Sequence, residues 1–160
     1  MFEKLKQIVD FAPLAIPLAS VVAYIIFRKQ ANQQKIKNSF EFSKEFSQKK
    51  EIQDALDEYI NLKNNRLEVP LENWARKEQR TTKQARNLRI LTNELERMGA
   101  GIKHGIYDEN FLFNSHGSSV VRIHRDLEPY LTELKKDNPL LFKEFNYISV
   151  KWRAKYNKLL

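Results

Sequence analysis

The side chains best suited to binding chemistry are the cations between positions 76 and 89, where Glu78 is the one acid. Their spacing, close to three and four residues, places many of them on one face of a predicted helix. Such a face could neutralise several phosphates of a nucleic acid, or lie along the anionic headgroups of a membrane. The alternative is a solvated face without a partner. The candidate polyanion-binding residues are Arg76, Lys77, Arg80, Lys83, Arg86 and Arg89.

Residues that could catalyse a reaction or hold a metal show no recognisable pattern. No two of His104, His116 and His124 are four residues apart, a spacing that would bring two ligands together on a helix. Ser115 and Ser118 lie near His116 in sequence, but this alone does not create a nucleophile and its base. The four glycines form no phosphate-binding loop, and cysteine is absent. We therefore expect a protein that is not an enzyme, with no catalytic residues, cofactor or metal.

An apolar segment near the N-terminus, Ile8–Phe27, has the length of a transmembrane helix. Its 20 residues include 11 that are Ile, Leu, Val or Phe. At a rise of about 1.5 Å per residue, such a helix spans the roughly 30 Å of a hydrocarbon core. Asp10 is one turn from its end, and Pro13 and Pro17 are expected to kink its first half. A signal peptide and a buried core helix are the alternatives, although no small-x-small cleavage site follows.

The distribution of charge predicts the orientation of this anchor. Residues 1–27 carry no net charge, so the net charge of +8 lies after Phe27. Only Lys4, Lys6 and the amino terminus precede the span. The positive-inside rule therefore places the C-terminal domain in the cytoplasm of a bacterial inner membrane. The cations that follow the span closely are Arg28, Lys29, Lys35, Lys37 and Lys44.

Small residues recur every four positions in the predicted anchor, at Ala15, Ala19 and Ala23. This spacing places them on one helix face, where a second helix could approach closely. The interpretation is a face for self-association, giving a homo-oligomer, or for docking a membrane partner. Chance is the alternative, since alanine is common in membrane helices.

The remainder of the chain predicts an all-α fold, with one N-terminal transmembrane helix followed by a bundle of about five helices. The predicted units are a membrane anchor over 1–29, a helical linker or stalk with the basic stripe over 30–87, and a compact helical domain over 88–160. The last helix is predicted to open at Asn138-Pro139. The clearest helical stripe comprises Leu88, Leu91, Leu95, Met98 and Ile102.

Capping and breaking residues predict the helix ends. Ser47 is a candidate start for a second helix, and Pro70 marks a break after it. One long helix is predicted over Leu71–His104, ended by Gly105.

Further along, Asp108 is predicted to cap a short helix, Glu109–Asn114, which Gly117 breaks. The next predicted helix, Ser118–Lys136, contains Pro129, which is expected to kink it.

Several short motifs in the second half of the chain carry a resemblance. They are Asn93-Glu94-Leu95-Glu96, then Gly101-Ile102-Lys103-His104-Gly105-Ile106-Tyr107-Asp108-Glu109, then Leu127-Glu128-Pro129-Tyr130-Leu131 and Lys151-Trp152. In these motifs residues 88–155 resemble an uncharacterised family of small bacterial and prophage membrane proteins. The resemblance implies one N-terminal membrane helix and a helical cytoplasmic domain. The chain departs from that pattern at Thr92, where leucine is frequent, and at His124, where tryptophan is.

The size, single anchor and basic cytoplasmic domain also resemble the plan of superinfection exclusion protein A of temperate phages. This resemblance implies a prophage-encoded inner-membrane protein that stops the DNA of related phages from entering the host. Because no catalytic pattern is recognised, we expect it to act by binding and not by catalysis. The implied partners are the lipid bilayer and a membrane or phage ejection protein. The alternative is a membrane-tethered protein that binds nucleic acid or anionic lipid.

Overall fold

The chain folds as an assembly of helices. The computed structural model describes residues 2–158, and side chains from Ala19 onward. All secondary structure in that part of the chain is helical, which confirms the predicted all-α class. The α-helices are α1 (Phe2–Gln48), α2 (Lys50–Asn64), α3 (Lys83–Lys103), α4 (Glu109–Asp126), α5 (Glu128–Asp137) and α6 (Lys143–Asn157). Two 3₁₀ helices, Leu71–Ala75 and Lys77–Gln79, join α2 to α3.

Helix α1 is the longest element, with 47 residues. Of the predicted anchor Ile8–Phe27, residues 8–18 lie outside the described side chains. Across the side chains that are described, no helix has a stretch sufficiently long and apolar to cross a membrane. The large apolar side chains from Val21 to Phe27 are exposed, Phe27 to 68%.

The C-terminal part of α1 docks against the connection between α3 and α4. The Ser39 hydroxyl is buried and accepts a hydrogen bond from the N–H of Asp108 at 2.7 Å. The amide of the preceding residue, Asn38, donates to the carbonyl oxygen of Ile106 at 3.2 Å. The ring of Phe42, 2% exposed, enters the core beside them. These contacts hold the last turns of α1 to the bundle.

One core of buried apolar side chains includes residues from α1 through α6. Helix α3 packs against both α2 and α6, and the burial of Leu88, Leu91, Leu95 and Met98 confirms the predicted stripe. The core draws side chains from both sides of residue 88, the predicted start of the compact domain. Its largest fully buried members are Trp152, Tyr130, Phe145, Ile52, Leu88, Leu91, Leu95, Met98, Leu112, Leu127, Ile148 and Val120.

Two glycines let neighbouring parts of the chain, a backbone at Gly99 and an aromatic ring at Gly101, approach α3 closely. A Cβ atom at Gly99 would lie 2.5 Å from the carbonyl oxygen of Glu144, so glycine allows α6 to cross α3 at this point. A Cβ atom at Gly101 would lie 2.2 Å from the ring of Tyr107. Both contacts are shorter than carbon atoms tolerate.

The predicted signals around the end of α3 are confirmed. Gly105 has a φ of 68°, which glycine adopts without strain. The N–H of Ile106 donates to the carbonyl oxygen of Gly101 at 2.8 Å, the long hydrogen bond of a Schellman motif. Asp108 then caps α4 by accepting the N–H of Phe111 at 2.8 Å.

The single helix predicted over Leu71–His104 is wrong in its first part. Helix α3 begins at Lys83, after Thr82 caps it by accepting the N–H of Ala85 at 3.3 Å. Before that point few apolar side chains are available to pack, and a helix in water depends on such packing. The segment therefore forms short 3₁₀ turns that bury Leu71 and Ala75.

Two predicted interruptions are also wrong. Gly117 does not break a helix, because α4 continues through it. It is instead a packing position: a Cβ there would lie 2.9 Å from both the Phe113 ring and the Tyr156 hydroxyl. Pro129 does not kink a long helix either, since the chain leaves the helix at Leu127 and Pro129 lies in the first turn of α5, where a missing N–H does no harm.

Two predicted helix starts are displaced. Helix α2 begins at Lys50 and not at Ser47, because α1 remains helical to Gln48 around the buried ring of Phe46. Helix α6 begins at Lys143 and not at Asn138-Pro139. The Asn138 side chain accepts the N–H of Leu140 at 3.1 Å and so forms a turn there in place of a helix.

Candidate polyanion-binding surface

The six candidate cations, here called the basic surface, do not share one helix face. The predicted single helix face is wrong, because the chain is a 3₁₀ helix before Thr82 and α3 begins only after it. Four of them instead line two neighbouring clefts, which share Arg80 and lie next to the end of α5. One cleft, of about 230 Å³, includes Arg76 and Lys77, and the other, of about 310 Å³, includes Arg89.

Two members of the basic surface are engaged by neighbours. The Arg80 guanidinium donates to the carboxylate of Asp137, the last residue of α5. That hydrogen bond, with added attraction from Lys77, holds the pKa of Asp137 below its ordinary value. Arg89 donates to the carbonyl oxygen of Arg80 at 3.5 Å. Arg80 is thus held between an acid and a second arginine.

The other four members are open to a partner. Arg76, Lys77, Lys83 and Arg86 are exposed, and within the described part of the chain they form no ion pair. Such side chains are available to contact phosphates without first breaking an internal bond. Each phosphate they neutralised would contribute affinity that falls with salt.

The start of α3 carries charge that disfavours the helix itself. Lys83 and Arg86 lie there, and the first turn contains no acid. The aligned peptide dipoles give this end a partial positive charge, so acids stabilise it and cations do the reverse, by roughly 0.3–1 kcal/mol each. An anion bound near Lys83 and Arg86 would remove this repulsion.

Trp74, the aromatic residue closest in sequence to the basic surface, is not placed to stack on bases. It is half-buried and packs against the core. Its indole N–H is buried and has no hydrogen-bond partner in the described part of the chain. Recognition by this surface would therefore depend on charge, and base stacking would contribute little.

The serine and histidine residues that are adjacent in sequence do not meet. The Ser115 hydroxyl donates to the carbonyl oxygen of Phe111 at 2.9 Å. His116 is instead 2.8 Å from the hydroxyl of Ser43 on α1, in a half-buried contact between α1 and α4. Sequence reasoning missed this pair because the partners are 73 residues apart.

The remaining histidines lie apart from one another. His124 is buried with its Nε2 3.1 Å from the Asn146 side-chain oxygen, and His104 is exposed. Burial lowers the pKa of His124 below its ordinary value, although the contact with Asn146 opposes this. No group of His, Cys, Asp and Glu among the described residues is arranged to hold a metal ion.

The predicted membrane-helix packing face is described only in part. Ala15 lies outside the described side chains, and Ala19 and Ala23 are exposed. The exposed apolar residues Val22 and Ile26 lie on the same part of α1. This section of the helix therefore has an apolar surface without a cover in the described part of the chain.

Comparison with known proteins identifies one family. Residues 13–152 match the family model described as a domain of unknown function, DUF4760. No curated protein and no solved structure matches the chain.

Proposed function

The chain belongs to the DUF4760 family of unknown function, and we propose that it is a membrane-tethered binding protein that excludes the DNA of incoming phages. The observation that supports a tether is the continuity of α1, which joins the apolar segment Ile8–Phe27 to the bundle in one helix of 47 residues. A protein that acts at a fixed distance from a membrane requires such a connection.

The exposed side chains of α1 also favour a lipid environment for its N-terminal part. Val21, Ile25 and Phe27 are 55%, 58% and 68% exposed. Soluble monomers rarely leave a contiguous apolar patch of this kind uncovered. Lipid would cover it, as would a membrane partner that packs against Ala19 and Ala23.

A polar feature follows where the proposed span ends. The Arg28 guanidinium donates to the Tyr24 hydroxyl at 3.2 Å, one turn before it. Tyrosine and arginine are both favoured where a helix leaves the hydrocarbon for the headgroups. The excess of cations after Phe27 supports a position of the bundle on the cytoplasmic side of a bacterial inner membrane.

In the proposed mechanism the anchor finds a membrane or phage ejection protein, through the face of Ala15, Ala19 and Ala23. The bundle then obstructs the path of DNA at the inner mouth of the channel. This mechanism is one of binding and needs no catalytic residue.

The test is to express the full chain in a host without prophages and to measure how much phage DNA reaches the cytoplasm. We expect reduced DNA internalisation for related phages. A variant whose Ile8–Phe27 is replaced by an unrelated membrane helix separates a specific anchor from a simple tether. Normal internalisation of every phage tested would contradict the exclusion function, and release of the protein from membranes by carbonate would contradict the anchor.

A second candidate function, binding of polyanions, is favoured by the open cations of the basic surface. The full chain in discs of neutral lipid should bind duplex DNA with a steep dependence on salt. Reversal of Lys83 and Arg86 to glutamate should weaken binding and reduce the salt slope by about 0.9 for each phosphate that is no longer neutralised. The matched control reverses Lys37 and Lys50, which are also exposed. Equal effects of both pairs would show that only net charge matters.

A further inference from the structure

The ion pair between Arg80 and Asp137 forms the wall between the two clefts of the basic surface. Both clefts include these two residues. On the α3 side the cleft, of about 310 Å³, also includes Arg89, Asn93 and Asn138. Its volume is at the lower end of the range for ligand sites, so it suits a small group such as one phosphate.

The polar groups of this cleft are mainly donors. Two guanidinium groups face it, and each presents a planar set of N–H donors that matches the oxygens of a phosphate. The side-chain oxygen of Asn138 already accepts the N–H of Leu140 at 3.1 Å, which leaves its NH₂ group to serve a ligand. Arg89 is held close to Arg80 by its hydrogen bond to the Arg80 carbonyl oxygen.

Asp137 occupies the position that an anionic ligand would take on Arg80. The Arg80 and Asp137 side chains are 38% and 48% exposed, so water screens their attraction. Ion pairs with this exposure contribute little to stability and exchange readily. A backbone phosphodiester has one negative charge and two non-bridging acceptor oxygens, as a carboxylate has, and an arginine can bind either group through two parallel hydrogen bonds. It can therefore replace Asp137 on Arg80 without disturbing the core.

A rigid backbone supports the apolar side of the cleft. Phe142 has a φ of 56° and a ψ of 37°, the left-handed region that a bulky side chain rarely adopts. Its ring is only 5% exposed, so burial fixes it there. Backbone strain of this kind is often found next to binding sites. The connection from α5 to α6 is thus held in one conformation beside Arg80.

We propose that this cleft binds a phosphate group of a nucleic-acid backbone, and that Asp137 is an internal anion that occupies Arg80 until the phosphate displaces it. The inference rests on the proposed binding of polyanions and names the site at which it occurs. Arg76 and Lys77 continue the basic surface on the other side of Arg80, where the next phosphates along a strand would lie. Asp137 then acts as an autoinhibitory residue that lowers affinity.

The experiment compares Asp137→Asn with Glu133→Gln in the full chain, held in discs of neutral lipid. Both variants remove one negative charge from the lining of the smaller cleft, of about 230 Å³, but Glu133 pairs with Lys136 and not with Arg80, and it does not line the proposed phosphate cleft. Duplex DNA should bind several-fold more tightly to Asp137→Asn than to Glu133→Gln. The salt slope of Asp137→Asn should also steepen, by up to about 0.9, the value for one neutralised phosphate.

Arg80→Gln and the double variant Arg80→Gln/Asp137→Asn test whether Asp137 acts through Arg80. The double variant should bind DNA as Arg80→Gln does, because the guanidinium that Asp137 occupies is gone. If Asp137→Asn strengthens binding equally with and without Arg80, Asp137 acts only through net charge, and the proposal is wrong. Equal gains from Asp137→Asn and Glu133→Gln lead to the same conclusion.

Inorganic phosphate separates the site from the wider function. Phosphate, compared with chloride at equal ionic strength, should raise the melting temperature of Asp137→Asn but not that of Arg80→Gln. If phosphate stabilises Asp137→Asn through Arg80 and no variant binds DNA, the phosphate site stands, whereas nucleic acid is wrong both as its ligand and as the polyanion of the proposed function. If phosphate has no effect on Asp137→Asn, the site is wrong even where DNA binds. A response to anionic vesicles in place of DNA would assign the phosphate to a lipid and overturn the nucleic-acid assignment.

Discussion

The hydroxyl of Tyr59 donates a 2.8 Å hydrogen bond to the carboxylate of Asp126, and so joins α2 to the last residue of α4. The same carboxylate pairs with Lys63 at 2.8 Å, and its side chain is only 6% exposed. Burial opposes the ionisation of Asp126, but hydrogen bonds from Lys63, Tyr59 and Arg125 outweigh it and hold its pKa below the ordinary value. Burial and the contact with Asp126 raise the pKa of Tyr59.

Tyr59→Phe should lower the free energy of unfolding by about 1.5–3 kcal/mol, the range for a hydrogen bond to a charged group. The ring stays in the core, so the change isolates the loss of the hydroxyl from the buried carboxylate. The measurement is denaturant unfolding of the full chain in neutral detergent. Tyr147→Phe is the matched control, because Tyr147 is 47% exposed. Equal stability of the two variants would show that the Tyr59 hydrogen bond is not significant.

The folded chain should lose stability in acid, because of His116 at the contact between α1 and α4. Burial lowers the pKa of His116 below its ordinary value, where its ring lies 2.8 Å from the Ser43 hydroxyl and against the edge of Phe46. The unfolded chain therefore binds a proton at higher pH than the folded chain. The stabilisation by neutral His116 is complete above about pH 6.5, the unfolded value, and is lost as pH falls through the lower folded pKa.

The measurement is the free energy of unfolding as pH is lowered from neutrality. His116→Gln should flatten the decrease, and the exposed His104 offers a control, His104→Gln, that should not. Some decrease should persist in His116→Gln, since burial also lowers the pKa of His124. The same slope in His116→Gln and in the natural chain would contradict the assignment.

Gly99→Ala should destabilise the protein even though alanine favours helix. The gain in helix propensity is about 1 kcal/mol, whereas overpacking of a tight contact costs typically 1–3 kcal/mol. The added Cβ would lie 2.5 Å from the backbone carbonyl oxygen of Glu144, and a backbone atom cannot move away as a side chain can. We expect a net loss of up to about 2 kcal/mol.

Thermal unfolding measures this loss, and Ala100→Gly on the adjacent, half-buried position of α3 provides the comparison. That variant should lose about 1 kcal/mol through propensity alone. An increase in melting temperature for Gly99→Ala would show that α3 and α6 can separate at no cost.

The hydrogen bond from the Trp152 indole to Glu109 should contribute more to stability than the ion pair between Glu109 and Lys151. Its carboxylate accepts from the Trp152 Nε1 at 3.2 Å and from the Lys151 ammonium at 2.6 Å. Trp152 is fully buried, whereas Lys151 is exposed. Glu109→Gln keeps an acceptor for the indole, but Glu109→Ala leaves a buried donor without a partner, at about 1–3 kcal/mol.

The prediction is therefore that Glu109→Ala is clearly less stable than Glu109→Gln in denaturant unfolding. The near-ultraviolet circular dichroism of tryptophan should change with the alanine variant and persist with glutamine. If the two variants unfold together, the hydrogen bond to Trp152 does not contribute.

Features that depend on a few neighbouring residues could be predicted from the sequence. Gly105 and Asp108 end one helix and start the next as their chemistry requires, and the apolar stripe of α3 packs against the core. The start of α3 could also be predicted, because Thr82 is a good capping residue. It is overlooked when a run of cations at helical spacing is interpreted as one continuous helix.

Features that depend on distant parts of the chain could not be predicted in this way. Asp137 meets Arg80 across 57 residues, and no local pattern indicates that pairing. The same is true of Ser43 and His116. Gly117 is a second example. Considered alone, glycine weakens a helix, but here Tyr156 approaches so closely that only glycine fits.

The single helix α1 also has a mechanical consequence. At about 1.5 Å per residue, its 47 residues extend for about 70 Å. The bundle holds the far end of this helix at Ser39 and Phe42, and the helix is unbroken from Ala19 to Gln48. A turn of the helix about its axis at Ala19 would therefore rotate the bundle in the same direction. A partner that twisted the anchor would thereby reorient every surface of the bundle, including the basic surface around Arg80.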